Sequence, residues 1–141
     1  MTIFMIMVVS VTVFAQDWLS NLDEAEAKAS TNGKNILLVF SGSDWCVPCM
    51  KLEKFIWKSK EFESFSKEHF VLLRADFMKQ KKNKLSEAQQ TYNDQLAEKY
   101  NPNGYFPLVV ILNKNGKVLG KTGYKNISPS EYIKQLVALE N

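Results

Sequence analysis

Histidine, cysteine, glycine and proline are all scarce in this 141-residue chain, and each shortage narrows what the protein can be. The single histidine, His69, ends an amphipathic segment just before a strand. Nothing in the pattern brings it to the two cysteines, so no metal site is expected. With only Cys46 and Cys49, one intramolecular pairing is available. Six glycines, four prolines, 45% hydrophobic and 23% charged residues make an ordinary globular composition. No charge sign dominates, the formal net charge being +3. The one basic cluster, Lys79, Lys81, Lys82 and Lys84, has no interleaved aromatics. It reads as a solvated loop rather than a nucleic-acid surface, with contact to an acidic partner as the lesser reading. Repeats are absent too, and the length suits one domain with a substantial core.

The opening segment differs from the rest. Ile3 to Phe14 is almost wholly apolar and uncharged, and Val13-Phe14-Ala15 offers the small or aliphatic residues that a signal peptidase requires. As a helix the segment would be about 21 Å long, short of a bilayer core of about 30 Å. The expectation is a signal peptide over 1–15, a domain over 16–141, and export to an oxidising, periplasm-like compartment. Retention of the segment as an uncleaved anchor is the alternative. It lacks a preceding Lys or Arg, and no cysteine follows it that could carry a lipid.

Local patterns predict the order α-β-α-β-α-β-β-α. Ser20-Asn21-Leu22-Asp23 has capping-box spacing, followed by Leu22, Ala25 and Ala29 at helical intervals as far as Gly33. Asn35 to Ser41 reads as a strand buried on both faces. A helix then runs from Cys46 to about Lys58, with Cys49, Leu52 and Ile56 inward and Pro48 in its first turn. Lys60 to Lys67 is a short helix carrying Phe62 and Phe65, and Phe70 to Asp76 is a strand. A capping box at Ser86 opens a helix with Leu85, Ala88, Tyr92, Leu96 and Tyr100 in register. Pro107 to Leu112 and Lys117 to Thr122 form a hairpin across Asn113-Lys114-Asn115-Gly116. Ser128-Pro129-Ser130-Glu131 starts the last helix, with Ile133, Leu136 and Val137 inward. This alternation implies an α/β fold, a central mixed β-sheet with helices on both faces. Trp18, Trp57 and the helical aromatics are expected to be packing residues, and Asp76 a turn residue.

The cysteines stand in Trp45-Cys46-Val47-Pro48-Cys49, between a buried strand and a helix. Two thiols so placed suit disulfide exchange, one attacking and the other close enough to resolve the mixed disulfide. A bridge across two residues closes too short a loop to matter much for stability, which argues against a purely structural role. The positive end of the helix dipole favours a thiolate at Cys46, while burial in the helix body disfavours one at Cys49. Lys51 and Lys54 would help Cys46, and Asp44 would oppose it.

This order resembles the thioredoxin family over about Trp18 to Leu139. The resemblance rests on the W-C-x-P-C motif, on Lys99-Tyr100 and Gly104 leading to Pro107, on the hairpin from Leu108 to Val118, and on Gly123. It implies a thioredoxin-like fold with Cys46 as the more exposed nucleophile and Cys49 as the resolving thiol. Pro107 would be a cis-proline facing the sulfurs, and Trp45 would shield them; Trp45, Phe106 and Pro107 would bind substrate. Two departures stand out. Phe40 replaces the family's buried acid six residues before the first cysteine, with Asp44 and Glu53 as candidate substitutes. Phe106 and Leu108 flank Pro107 where smaller or polar residues are common, which implies a more apolar groove.

Taken together, these features predict an exported thiol–disulfide oxidoreductase whose only redox group is the Cys46–Cys49 pair, with no other cofactor. Pro48, where oxidants and isomerases more often carry His, favours a reductase. A disulfide oxidase or isomerase, or a binding module without turnover, are the alternatives. Expected partners are protein disulfides or dithiols, with a membrane reductase or thioredoxin-like protein as electron donor. The chain is expected to be a monomer that does not bind nucleic acid.

Overall fold

The computed structural model describes residues 16–141. The segment read as a signal peptide, with its cleavage site after Ala15, lies outside the described residues. Five strands form one mixed sheet in the order β1-β3-β2-β4-β5. They are β1 (Trp18–Leu19), β2 (Asn35–Ser41), β3 (Phe70–Asp76), β4 (Leu108–Leu112) and β5 (Val118–Thr122). Strands β1, β3 and β2 are parallel; β4 runs antiparallel to β2, and β5 antiparallel to β4. The continuous apolar runs of β2 and β4 lie at the centre, where both faces are covered and no polar alternation is needed.

Side chains from alternate strand positions feed two cores. On one face α1 (Leu22–Asn32) and α4 (Glu87–Tyr100) pack over Ile36, Leu38, Phe40, Leu73 and Val110. On the other, α2 (Val47–Leu52), α3 (Lys60–His69) and α5 (Pro129–Ala138) pack over Leu37, Val39, Leu72, Val109 and Ile111. The expected fold class is the observed one, with local differences.

The capping residue of α1 is Asn21, not Ser20; its side chain accepts from the Glu24 N–H, and Gly33 ends the helix in the left-handed region at φ 64°. Strand β1 has only two residues and leaves no periodic signature in the sequence. The helix after the cysteines does not stay α-helical to Lys58. It widens into a π-turn over Glu53–Trp57, which turns the adjacent Ile56 and Trp57 both into the core. In α5 the capping box at Ser128 forms as read, but Tyr132 and Leu136 are the buried positions, while Ile133 and Val137 are only partly covered. Burial keeps the Tyr132 phenol neutral by raising its pKa, and its hydroxyl donates to the Gly123 carbonyl at 2.8 Å.

The topology gathers three loops at one end of the sheet. Parallel β2 and β3 both finish there, with Ser41 paired to Asp76. Antiparallel β4 begins there, with Leu108 opposite Phe40. The turn into α2, the lysine loop after β3 and the Phe106–Pro107 segment therefore meet, as expected at the carboxyl ends of parallel strands.

Candidate active site

At the end of β2 the chain turns through Gly42 to Trp45 and enters α2, with Cys46 as the capping residue. Cys46 and Cys49 are joined in a disulfide, their Cα atoms 5.2 Å apart. Pro48 sits in the first helical turn, where its missing N–H leaves no helical hydrogen bond unmade. The Cys46 sulfur receives the Cys49 N–H at 3.3 Å, and the Cys49 sulfur receives the Gly42 N–H at 3.4 Å. In the disulfide state the expected difference in exposure between the two cysteines is small: Cys46 is 5% exposed and Cys49 3%. The bond draws both side chains into one enclosure, so what separates them in this state is position along the helix and hydrogen-bond partner.

Trp45 is fixed from several sides. Its indole N–H donates to the Phe77 carbonyl at 2.7 Å, and its ring meets Phe106 edge-on at 5.5 Å. A Cβ at Gly42 would collide with the indole, so only glycine fits there. The Phe106–Pro107 peptide bond is cis, as the resemblance implied. Phe106 and Pro107 share a shallow groove with Pro48 of α2, Tyr105, Thr122 and Tyr124. The structure thus brings Trp45, Cys46, Cys49, Phe106 and Pro107 to one face. Tyr105, 62% exposed at the groove edge, was not singled out in the sequence, although it adjoins Phe106.

The acids sort themselves by partner. Phe40 is wholly buried in an apolar core, so its position offers no place for a charge. Asp76 does more than turn the chain: its carboxylate accepts from the Ser43 N–H at 3.0 Å and from the Ser43 hydroxyl, stapling the cysteine turn to β3. Glu53 lines a cleft with Cys49 and is ion-paired to Arg74 at 2.7 Å, whereas Asp44 does not line that cleft. Asp44 instead accepts from the Lys79 and Gln80 N–H groups at 3.0 and 2.9 Å and from the Asn83 amide at 3.2 Å. These bonds, that from Lys79 foremost, hold the Asp44 carboxyl below its ordinary pKa. His69 is likewise engaged, its Nε2 lying 2.6 Å from a Glu140 oxygen. A more enclosed cavity beside α1 and α3, lined by Gln16, Lys28, Lys34, Glu63 and Phe70, shares no residue with the cysteine face.

The Asp44 geometry makes a pH prediction. A carboxyl whose folded pKa is depressed stabilises the fold above its unfolded value of about 3.9 and loses that contribution as pH falls through the lower folded value. Amide protection at Lys79 and Gln80, corrected for intrinsic exchange, is therefore expected to hold from pH 7 to pH 5. In Asp44→Ala it should fall about tenfold or more. Unchanged protection in that variant, measured by NMR hydrogen exchange, would mean the loop is held by something else.

A disulfide-forming C-x-x-C at the mouth of a helix, backed by a cis-proline loop in this fold, defines a thiol–disulfide oxidoreductase. The chain belongs to the thioredoxin-like family, whose sequence model matches residues 17–114. It is 33% identical over 113 residues to the "Disulfide bond reductase DsbH" of Chlamydia pneumoniae, a match covering 80% of this chain and 66% of that protein. Over 61 residues it is 43% identical to the "Thiol:disulfide interchange protein DsbD" of Vibrio cholerae, covering 43% of this chain and 10% of that one. The chain thus spans just under two thirds of the first relative and a small part of the second. A solved structure titled "DsbH Oxidoreductase" superposes with a TM-score of 0.82 at 26% identity, covering 99% of this chain and 94% of the other.

Proposed function

We propose that this chain is an exported reductase of protein disulfides. The observation that carries the reading is the Cys46–Cys49 disulfide, set at the start of α2 beside the Phe106–Pro107 groove with Pro48, not an ionisable residue, before the second cysteine. A histidine at that place would stabilise a thiolate electrostatically and make the disulfide more oxidising; proline cannot. The printed name of the Chlamydia relative, a disulfide bond reductase, supports the same direction.

In the reduced protein, the Cys46 thiolate attacks one sulfur of a substrate disulfide. A mixed disulfide forms, and the other substrate sulfur leaves as a thiolate that takes up a proton. Cys49, one helical turn away, loses its proton and attacks the Cys46 sulfur. That step releases the second substrate thiol and re-forms the Cys46–Cys49 bond, the state described above. Two electrons have then passed to the substrate, so a dithiol donor, such as a membrane reductase or thioredoxin-like partner, must return two. The helix-start N–H groups around Cys46 favour its ionised form during attack. Trp45, Phe106 and Pro107 supply the surface on which the substrate strand lies. The apolar run ending at Ala15 supports export, and the domain acts as a monomer.

Equilibrating the purified protein with glutathione or dithiothreitol tests the direction. A reduction potential near the thioredoxin end, about −270 mV, is expected. A value near about −120 mV would make the protein a thiol oxidant and overturn the reading.

A further inference from the structure

The lysine loop after β3 is built onto the redox face. Asp44, two residues before Cys46, binds the Lys79 and Gln80 N–H groups, and the Gln80 side-chain amide donates back to the Asp44 carbonyl at 3.1 Å. These bonds join positions about 35 residues apart and hold a 3-10 turn at Lys81–Asn83 beside the cysteine motif. The Lys79 ammonium lies 3.8 Å from the centre of the Trp45 ring. A loop that was merely solvated would not need this anchoring.

What the anchored loop presents is uncompensated positive charge. Lys81, Lys82 and Lys84 are exposed and have no carboxylate within ion-pair distance among the described residues. Lys51 on α2, Lys54 in the π-turn and Lys58 just after it are exposed, and they too lack such a partner among the described residues. The acids nearby are already committed: Asp44 to the loop backbone, Asp76 to Ser43, and Glu53 to Arg74. Beside the cysteines on α2, Val47 is 58% exposed and Met50 41% exposed, so apolar surface adjoins the redox pair. Positive potential at a docking face raises the encounter rate of negatively charged partners and is screened by salt.

We propose that this face selects partners in which the reacting cysteine lies in an acidic polypeptide segment, with Lys81 and Lys82 contacting its carboxylates. The inference rests on the exchange chemistry proposed above. Charge complementarity fixes the occupant: a basic segment would be repelled, and an uncharged one would gain nothing from the loop.

The test uses pre-reduced protein in single turnovers. The probes are two synthetic peptides, each with one cysteine carrying a disulfide-linked thionitrobenzoate, flanked by glutamates in one and by lysines in the other. The uncharged 2-hydroxyethyl disulfide serves as the control. At low salt the acidic peptide is expected to react about tenfold or more faster than the basic one. The ratio should approach one in about 0.5 M salt, where screening lengths shrink to a few ångströms. It should also collapse at low salt in a Lys81→Glu/Lys82→Glu variant. A ratio near one in the unaltered protein at low salt would overturn the proposal, as would its full retention in that variant. The salt series needs no variant, so a poorly folding substitution cannot obscure the answer. Reaction with the uncharged disulfide but no charge preference removes only the docking proposal; no reaction with any of the three removes the exchange reading as well.

Discussion

Cys46→Ser is expected to reduce insulin-disulfide reduction at least roughly a thousandfold, to the uncatalysed background, because a hydroxyl cannot supply the thiolate that begins exchange. Cys49→Ser should behave differently. The first attack survives, the Cys46 sulfur has nothing to displace it, and a mixed disulfide with substrate accumulates. That adduct is read by non-reducing electrophoresis and mass spectrometry. The neighbourhood supports this division: Cys46 caps α2 and receives the Cys49 N–H, while Cys49 lies within the helix against the Gly42 N–H. Full activity in Cys46→Ser would sink the mechanism. A module that only binds would show no rate in the unaltered protein and would keep its partner affinity after the substitution.

The second large effect concerns stability. Trp57→Ala should cost about 3–5 kcal/mol, a large share of the roughly 5–15 kcal/mol that holds such a domain together. Trp57 is almost wholly buried and packs against Phe62 at 4.6 Å, Tyr132 at 5.7 Å and Trp18 at 5.8 Å. It therefore joins α3, α5 and β1 to the helix that carries the cysteines, and no single neighbour can move to fill its volume. The melting temperature should fall by about 10–20 °C, measured by calorimetry or circular dichroism. Trp57→Phe should lose clearly less, since it keeps an aromatic ring in the site. A loss under about 1 kcal/mol for the alanine variant would mean the cluster collapses to fill the space.

Trp57 also marks the boundary of what the sequence made legible. Its role as a packing residue could be read, but the π-turn that brings it inward beside Ile56 could not. A sequence shows side-chain periodicity, and a one-residue widening of the helix alters that periodicity over too few residues to register. Strand β1 escaped notice for a similar reason, since two residues carry no alternation. The cap of α1 moved from Ser20 to Asn21 because both residue types suit the position and only backbone geometry chooses between them.

The sequence by itself determined the chemistry and the layering. Two cysteines in one W-C-x-P-C, a strand before them and a helix after, left little else for the pair to do. Apolar runs and caps placed the other helices and the four longer strands, because such signals act within a few residues of one another. Only the tertiary structure decided which side chains meet across the chain. It sent Asp44 to the lysine loop and left Glu53 beside Cys49 with Arg74. It buried both cysteines nearly equally, joined Asp76 to Ser43, and set Lys79 over Trp45. Those contacts depend on the parallel register of β2 and β3 and on where β4 begins beside them. Strand register is settled by packing the whole sheet between its helices, and no local run of residues specifies it.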